Sequence, residues 1–327
     1  MRLCAFEVRP DEEACFAQCA RQLGIELELH REGLTLEKIA ALPPNCCVST
    51  LGMYHYGEAE MCALAERGVH AMSTRTVGYN HIDLEAAQRH GVHVCNAHYD
   101  PNGVADYTVM MLLLCLRKYK QALWRTQVND FSLDGLIGRE VKDLTVGVVG
   151  TGRIGAQVVR NLSGFGCRML ACDNRENASI RHLVTYVDLE TVYRECDVIT
   201  LHVPLLPDTY HMICDETIAR MKTGVVLINC ARGDLMDVQS LIRGIESEKI
   251  GALGLDVLEK EENIVHRNLK TDIISNRDMA YLRQFKNVVH TQHMAFYTDA
   301  AVESMVRCGV QGCVQMLRGQ VCRTQLV

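Results

Sequence analysis

The chain has 327 residues, 48% of them hydrophobic and 23% charged, with a formal net charge of −6. That length suits two domains of ordinary size better than one core, and the acid excess, with no run of Lys and Arg, excludes a nucleic-acid surface. No apolar stretch approaches the roughly eighteen residues of a membrane span, because Val109–Leu116 is followed at once by Arg117 and Lys118.

In chain order, Leu3–Val8 reads as a strand, Glu12–Leu23 as a helix, and Glu26–Leu29 and Cys46–Leu51 as strands. Glu58–Arg67, Val69–Thr74, Asp83–His90 and Val92–Cys95 continue the alternation of helix and strand, which implies a parallel sheet covered on both faces. Asp100-Pro101-Asn102 opens a long helix predicted to run to about Arg125, apolar nearly all round and so read as the junction of two domains. Strand-like Val198–Val203, Val225–Asn229, Ala252–Val257 and Val288–Thr291 extend a second sheet, and Asp299–Leu317 is helical. The opening residues, MRLCAFEVRPDEE, turn acidic too soon for a secretory leader, so a cytoplasmic location is expected. Sixteen cysteines invite a disulfide or metal reading, but no CxxC pair occurs. Cys46, Cys47, Cys167, Cys172 and Cys230 sit in or beside apolar runs as small hydrophobes, and no metal site is expected.

Residues Leu144–Asp173 organise the rest. An apolar strand, Leu144–Val149, runs into Gly150-Thr-Gly152-Arg-Ile-Gly155, then a helix with Ile154, Val158, Val159 and Leu162 on one face, then a strand Arg168–Cys172 closed by Asp173. Gly150 permits the tight turn, Gly152 lets backbone approach a pyrophosphate, and Gly155 lets helix and strand pack closely. The pyrophosphate would sit on the helix N-terminus. Asp173 is suited to the ribose hydroxyls and repels a 2′-phosphate, which favours NAD over NADP, although Arg175 lies two residues on.

Three later strand ends carry polar groups: Arg232 after VVLINCA, Asp256 with Glu259, Glu261 and Glu262 after ALGLDV, and His293 after NVVHTQ. These fall together if their strands are neighbours, at the carboxyl edge where open α/β sheets bind ligands. Beside a nicotinamide they suit reduction of a 2-oxo acid. Arg232 can fork a carboxylate, His293 can protonate the carbonyl oxygen, and Glu261 can favour the imidazolium. Taken singly, each has a plain reading as a surface arginine, a solvated acid or a satisfied histidine.

At this point the sequence resembles the D-isomer-specific 2-hydroxyacid dehydrogenases, closest to the D-lactate dehydrogenase branch. STRTVGYNHIDLEAA (Ser73–Ala87), YDPNGVADYT (Tyr99–Thr108), TVGVVGTGRIG (Thr145–Gly155), DVITLHVPLLPDT (Asp197–Thr209), INCARGDLMD (Ile228–Asp237), GLDVLEKE (Gly254–Glu261) and His293–Thr298 look like that family's blocks. The resemblance implies two doubly wound, Rossmann-like α/β domains with the active site in a cleft between them. Residues 1–98 with 299–327 would form the substrate domain and 99–298 the NAD-binding domain. It implies Arg232 as carboxylate binder, His293 as acid/base and Glu261 as its partner, the choice over Glu262 resting on spacing from Asp256. It further implies that amides at Val77 and Gly78, with Tyr99 and Phe296, contact substrate. Arg153, Ile154, Asp173, Val203, Pro204, Cys230, Ala231 and Asp256 would join the glycines around NAD. A homodimer is implied, with the helix after Pro101 at its interface. The residue before the histidine, commonly proline in that family, is Gln292 here. Pyruvate and D-lactate are the expected pair. Alternatives are a larger 2-oxo acid, such as 2-oxoisocaproate, phenylpyruvate or 2-oxoglutarate, and a dinucleotide-sensing corepressor or scaffold on the same fold.

Overall fold

Residues 1–261 and 264–327 are described by a computed structural model. They divide into two units, Met1–Asp100 with Tyr297–Val327, and Pro101–Phe296. Glu262, one of the acids after Asp256, lies outside the described residues.

The first unit alternates as its apolar runs predict: β1 (Arg2–Ala5), α1 (Glu13–Leu23), β2 (Glu26–Leu29), α2 (Leu36–Ala41), β3 (Cys47–Thr50), α3 (Glu58–Glu66), β4 (Ala71–Thr74), α4 (Leu84–Arg89) and β5 (His93–Cys95). The strands form one parallel sheet in the order β2-β1-β3-β4-β5. Every residue of β3 and β4 is buried, because apolar layers cover both faces. One layer holds Ile39, Met61, Leu64 and Met72, and the other Phe16, Val306 and Val310. Val306 and Val310 belong to the last helix, Asp299–Leu317, which returns to pack on β3, β4 and β5. The final residues close the β5 edge, with the Leu326 amide donating to Val94 O at 2.8 Å.

The second unit contains α5 (Asn102–Leu116), α6 (Tyr119–Gln127), β6 (Thr145–Val149), α7 (Arg153–Ser163), β7 (Arg168–Cys172), β8 (Thr185–Tyr186), α8 (Leu189–Glu195), β9 (Val198–Leu201), α9 (Asp215–Arg220), β10 (Val225–Asn229), α10 (Val238–Glu246), β11 (Ile250–Leu255), α11 (Arg277–Leu282) and β12 (Val288–His290). Its sheet is parallel throughout, in the order β12-β11-β10-β9-β6-β7-β8. The strand order reverses at β6, the strand that feeds the glycine turn. Both units are therefore α/β with doubly wound parallel sheets.

The long helix expected to reach Arg125 is two helices. Lys118 adopts a left-handed backbone (φ 49°), which ends α5 and sets α6 off in a new direction. Nothing in the local apolar pattern marks that break, because Leu116 and Leu123 fit one continued helix. Helix α5 packs on α7, β10 and β11 through Ala105, Met111, Leu112 and Cys115. No described helix is long and apolar enough to cross a membrane.

Two glycines of the turn separate fold from binding. A Cβ on Gly155 would lie 1.9 Å from Gly150 O, whereas a Cβ on Gly152 meets nothing within 4 Å. Gly155→Ala should destabilise the protein by about 3 kcal/mol, at the upper end of overpacking costs, and Gly152→Ala should leave the urea midpoint nearly unchanged. Equal midpoints for the two variants would contradict this reading of the turn.

Candidate active site

The carboxyl ends of β10, β11 and β12 are adjacent, and the register sets Asn229 beside Leu255 and Leu255 beside His290. Beyond those ends the chain delivers Arg232, Glu261 and His293. His293 Nδ1 lies 2.6 Å from Glu261 Oε1, and the second carboxylate oxygen, Oε2, accepts from the Leu258 amide at 2.8 Å. An ionised carboxylate only accepts, so Nδ1 carries the proton and Nε2 faces any reactant. The His293 side chain is one-third exposed, at 33%, against 14% for Glu261, so the pair is shielded while the imidazole stays reachable.

The loop carrying His293 is set by Asp256. That carboxylate was expected among the cofactor contacts, yet it is wholly buried and used by the loop. Oδ1 accepts from Thr291 Oγ1 at 2.6 Å and the Met294 amide at 3.0 Å, and Oδ2 from the Ala295 amide at 2.7 Å. The His293 amide donates to Asp256 O at 2.8 Å. His293 itself has φ 56°, a left-handed backbone uncommon outside glycine and held only where surroundings over-determine it. Gln292 is exposed. The Phe296 ring stands edge-on to His293 at 6.4 Å, and His266 Nε2 lies 3.1 Å from His293 O.

Arg232 follows β10 in a turn stapled by Asn229, whose Oδ1 accepts from the Ala231 amide and whose Nδ2 donates to Arg232 O. Arg232 Nη1 donates to Ala231 O at 2.7 Å, which orients the guanidinium plane. Gly233 must be glycine, since a Cβ there would meet Leu258 C at 2.2 Å. Asn229 and Leu258 lie inside recognised blocks, but neither they nor His266 stood out as site residues, because their roles here depend on backbone groups that only the fold brings together.

Around the glycine turn, Gly150 takes φ 91° and Gly152 caps α7 with no side-chain hydrogen bond. The open space a Gly152 Cβ would fill, at the head of an eleven-residue helix, fits a dinucleotide pyrophosphate. Arg153 and Ile154 begin that helix. Val203 and Pro204 follow β9, and Cys230 and Ala231 follow β10, along the same carboxyl edge. Asp173 ends β7 as expected, but its Oδ2 accepts from the Thr151 amide and hydroxyl, and Oδ1 from the Arg175 amide. Burial pushes this carboxyl up, and those hydrogen bonds outweigh it and hold it below the usual range. Its remaining lone pairs suit ribose hydroxyls. Tyr186 and Asn177 complete the cluster by donating to Thr151 Oγ1 and Thr151 O.

In the first unit, Val77, Gly78 and Tyr99 lie beyond β4 and β5. Val77 O accepts from Asn96 Nδ2 at 2.8 Å and Gly78 O from Thr76 Oγ1 at 2.6 Å. Among the described residues, the Val77 and Gly78 amides have no protein acceptor. The base of this loop is fixed by Arg75, fully buried, whose Nε pairs with buried Glu12 at 2.9 Å and whose Nη2 donates to Phe6 O.

Comparison with known proteins places the whole chain in one family. The profile for the D-isomer specific 2-hydroxyacid dehydrogenase NAD binding domain matches residues 109–295. The chain is 39% identical over its whole length to an aromatic 2-oxoacid reductase of Clostridium sporogenes, spanning 99% of that protein. It is 34% identical to a D-lactate dehydrogenase of Escherichia coli, with 100% of both chains covered. Among solved structures it is similar, at a TM-score of 0.85 and 30% identity with both chains fully covered, to the NAD-complexed D-isomer specific 2-hydroxyacid dehydrogenase of Lactobacillus delbrueckii ssp. bulgaricus.

His202 gives this region a pH signature. It packs beneath the turn, with Nε2 at 3.0 Å from Thr200 Oγ1, and burial pushes its pKa down to about 4. The unfolded chain binds a proton near pH 6.5 and the folded one does not until about pH 4, so stability is full above 6.5 and is lost as pH falls through that window. The thermal midpoint of His202→Asn should therefore fall less steeply than that of the parent between pH 6.5 and 4.5. Parallel curves would contradict a buried neutral imidazole.

Proposed function

The chain belongs to the D-isomer specific 2-hydroxyacid dehydrogenases and is an NAD-dependent oxidoreductase; within that family we propose that it interconverts pyruvate and D-lactate. The observation that carries the mechanism is the 2.6 Å contact of His293 with Glu261 at a strand end next to the one that leads to Arg232. Residues 99–298 act as the NAD-binding domain and 1–98 with 299–327 as the substrate domain.

Bound NADH supplies the hydride that reaches C2 of the 2-oxo acid. Arg232 grips the substrate carboxylate through a two-pronged, charge-assisted fork. His293 Nε2 gives its proton to the carbonyl oxygen as negative charge develops there, and Glu261 stabilises the imidazolium before the transfer. In the reverse direction Nε2 takes the hydroxyl proton. Phe296 borders the substrate, and Asp173 holds the adenosine ribose.

A second reading is the same chemistry on an aromatic 2-oxo acid such as phenylpyruvate. It is favoured by the 39% identity to a relative named aromatic 2-oxoacid reductase. The pocket difference is a matter of a few groups, each worth about 1–3 kcal/mol. NADH oxidation at 340 nm over pyruvate, 2-oxobutyrate, 2-oxoisocaproate, phenylpyruvate and 2-oxoglutarate separates the two. Highest kcat/KM on pyruvate supports the first reading, and highest on phenylpyruvate the second.

We place the enzyme in the cytoplasm, where NADH is formed and where its sixteen free thiols stay reduced. A homodimer is supported by apolar side chains exposed on α5, α6 and the segment after them: Met110, Leu123, Trp124 at 70%, and Phe131 at 75%. Met110 also lines an open groove of about 490 Å³ with Val109, Leu113 and Tyr119.

His293→Ala should lower turnover by about 10²–10⁴, the range for lost acid/base help, with NADH binding nearly intact. Near-normal turnover would remove His293 from the mechanism. Arg232→Lys should lower kcat/KM mainly through weaker substrate binding and orientation, since Lys lacks the planar fork, and an unchanged value would remove the bidentate role. Trp124 is the single tryptophan of the chain. Its emission should shift to shorter wavelength as concentration rises through the dimerisation range seen by sedimentation, and a concentration-independent monomer would contradict the dimer.

A further inference from the structure

Three side chains outside the catalytic set converge in the second unit. His211 lies in the turn before α9, Asp237 caps α10, and Glu259 follows β11. One ligand-capable atom from each lies within 4.8 Å of the others. We propose that His211 Nε2 and the carboxylates of Asp237 and Glu259 form a binding site for one divalent cation of the zinc class.

The first support is the state of His211 and Glu259. His211 Nε2 is buried and has no hydrogen-bond partner. It lies 3.4 Å from Oε1 of Glu259, whose side chain is only 7% exposed and whose other cationic neighbour, the exposed Lys260, is 4.0 Å away. A buried carboxylate and a buried imidazole nitrogen facing each other without a hydrogen bond are costly unless something lies between them. The second support is the spacing. Zinc binds imidazole nitrogen and carboxylate oxygen at about 2.0–2.2 Å, which puts neighbouring ligand atoms of a tetrahedral site about 3.4 Å apart. The His211–Glu259 contact already has that length, and the wider pair needs to close by somewhat over 1 Å, within reach of a carboxylate rotation.

The ligands are also held from behind. Asp237 Oδ2 accepts from the Ser240 amide at 2.9 Å and from Ser240 Oγ, which fixes the carboxylate at the head of α10. The Tyr210 ring stacks on the His211 ring at 3.9 Å and 17°. Such outer contacts orient metal ligands in built sites. Imidazole with two carboxylates suits zinc, cobalt or nickel better than magnesium or calcium, which favour all-oxygen sets. The ion would tie the 211 turn, the start of α10 and the segment that supplies Glu261 into one block, leaving a fourth position for water.

Cobalt(II) chloride is the probe, because it fills zinc sites and reports its ligands by colour. Chelator-stripped protein, His211→Asn and Glu259→Gln are each given two equivalents, desalted and measured for cobalt by elemental analysis, with NADH binding as the check of fold. The parent should retain one more equivalent than either variant, with visible bands and no near-ultraviolet thiolate charge-transfer band from that equivalent. Equal retention in parent and variants, or a thiolate band lost together with the extra equivalent, would overturn the site. Should the variants fail to bind NADH, the parent alone decides. Its thermal midpoint should rise with cobalt and return with EDTA, and a midpoint indifferent to cobalt would overturn the proposal.

Discussion

The hydrogen bond between Glu261 and His293 is the constraint on which the rest of the second unit converges. It turns Nε2 toward a reactant only if both residues are held from outside the pair. The Leu258 amide holds the carboxylate, and Asp256 holds the histidine loop through two amides and a threonine hydroxyl. A wholly buried carboxylate survives because those bonds are charge-assisted, roughly twice as strong as neutral ones. Asp256 thereby joins β11 to the loop after β12, and strand order becomes side-chain orientation.

Strand order gathers the other groups at the same edge of the sheet. Parallel strands β6, β9, β10, β11 and β12 end side by side, so the glycine turn and the Arg232, Glu261 and His293 loops share one rim. Gly155 lets α7 close on β6, and Gly150 takes a conformation that ordinary residues avoid. Those features act on the backbone, while Arg232, Glu261 and His293 stand three to six residues past the ends of their strands. Strand edges rigid in the core and loops stapled by Asn229 and Asp256 give the site its precision.

Much of this was legible in the sequence, and the reasons differ by residue. The turn at Gly150–Gly155 announces itself because strand, glycines, helix and closing acid occur in fixed order. The meeting of Glu261 with His293 was legible because strand ends converge in a parallel sheet. The break at Lys118 was not legible, since a left-handed residue other than glycine leaves no mark in a hydrophobic pattern. Short elements such as β8, α8, α9 and α11 carry too few periodic positions to read. Asp256 was visible as an acid at a strand end, but whether it serves a ligand or its own loop depends on amides that only the fold brings to it. His211, Asp237 and Glu259 come from three separate segments with no ligand spacing, so a search for cysteine pairs could not find them.

The measurement that tests the central claim most directly is the protonation pattern of His293 itself. Nitrogen-15 spectra of histidine-labelled protein, with the signal identified by its loss in His293→Gln, distinguish the two ring nitrogens. The account predicts a proton on Nδ1 in both the neutral and the charged ring, strongly hydrogen-bonded and shifted by Glu261→Gln, with Nε2 the position that gains and loses its proton. A neutral ring protonated at Nε2 with a bare Nδ1 would contradict it, because Glu261 would then not be what aims the histidine at its substrate.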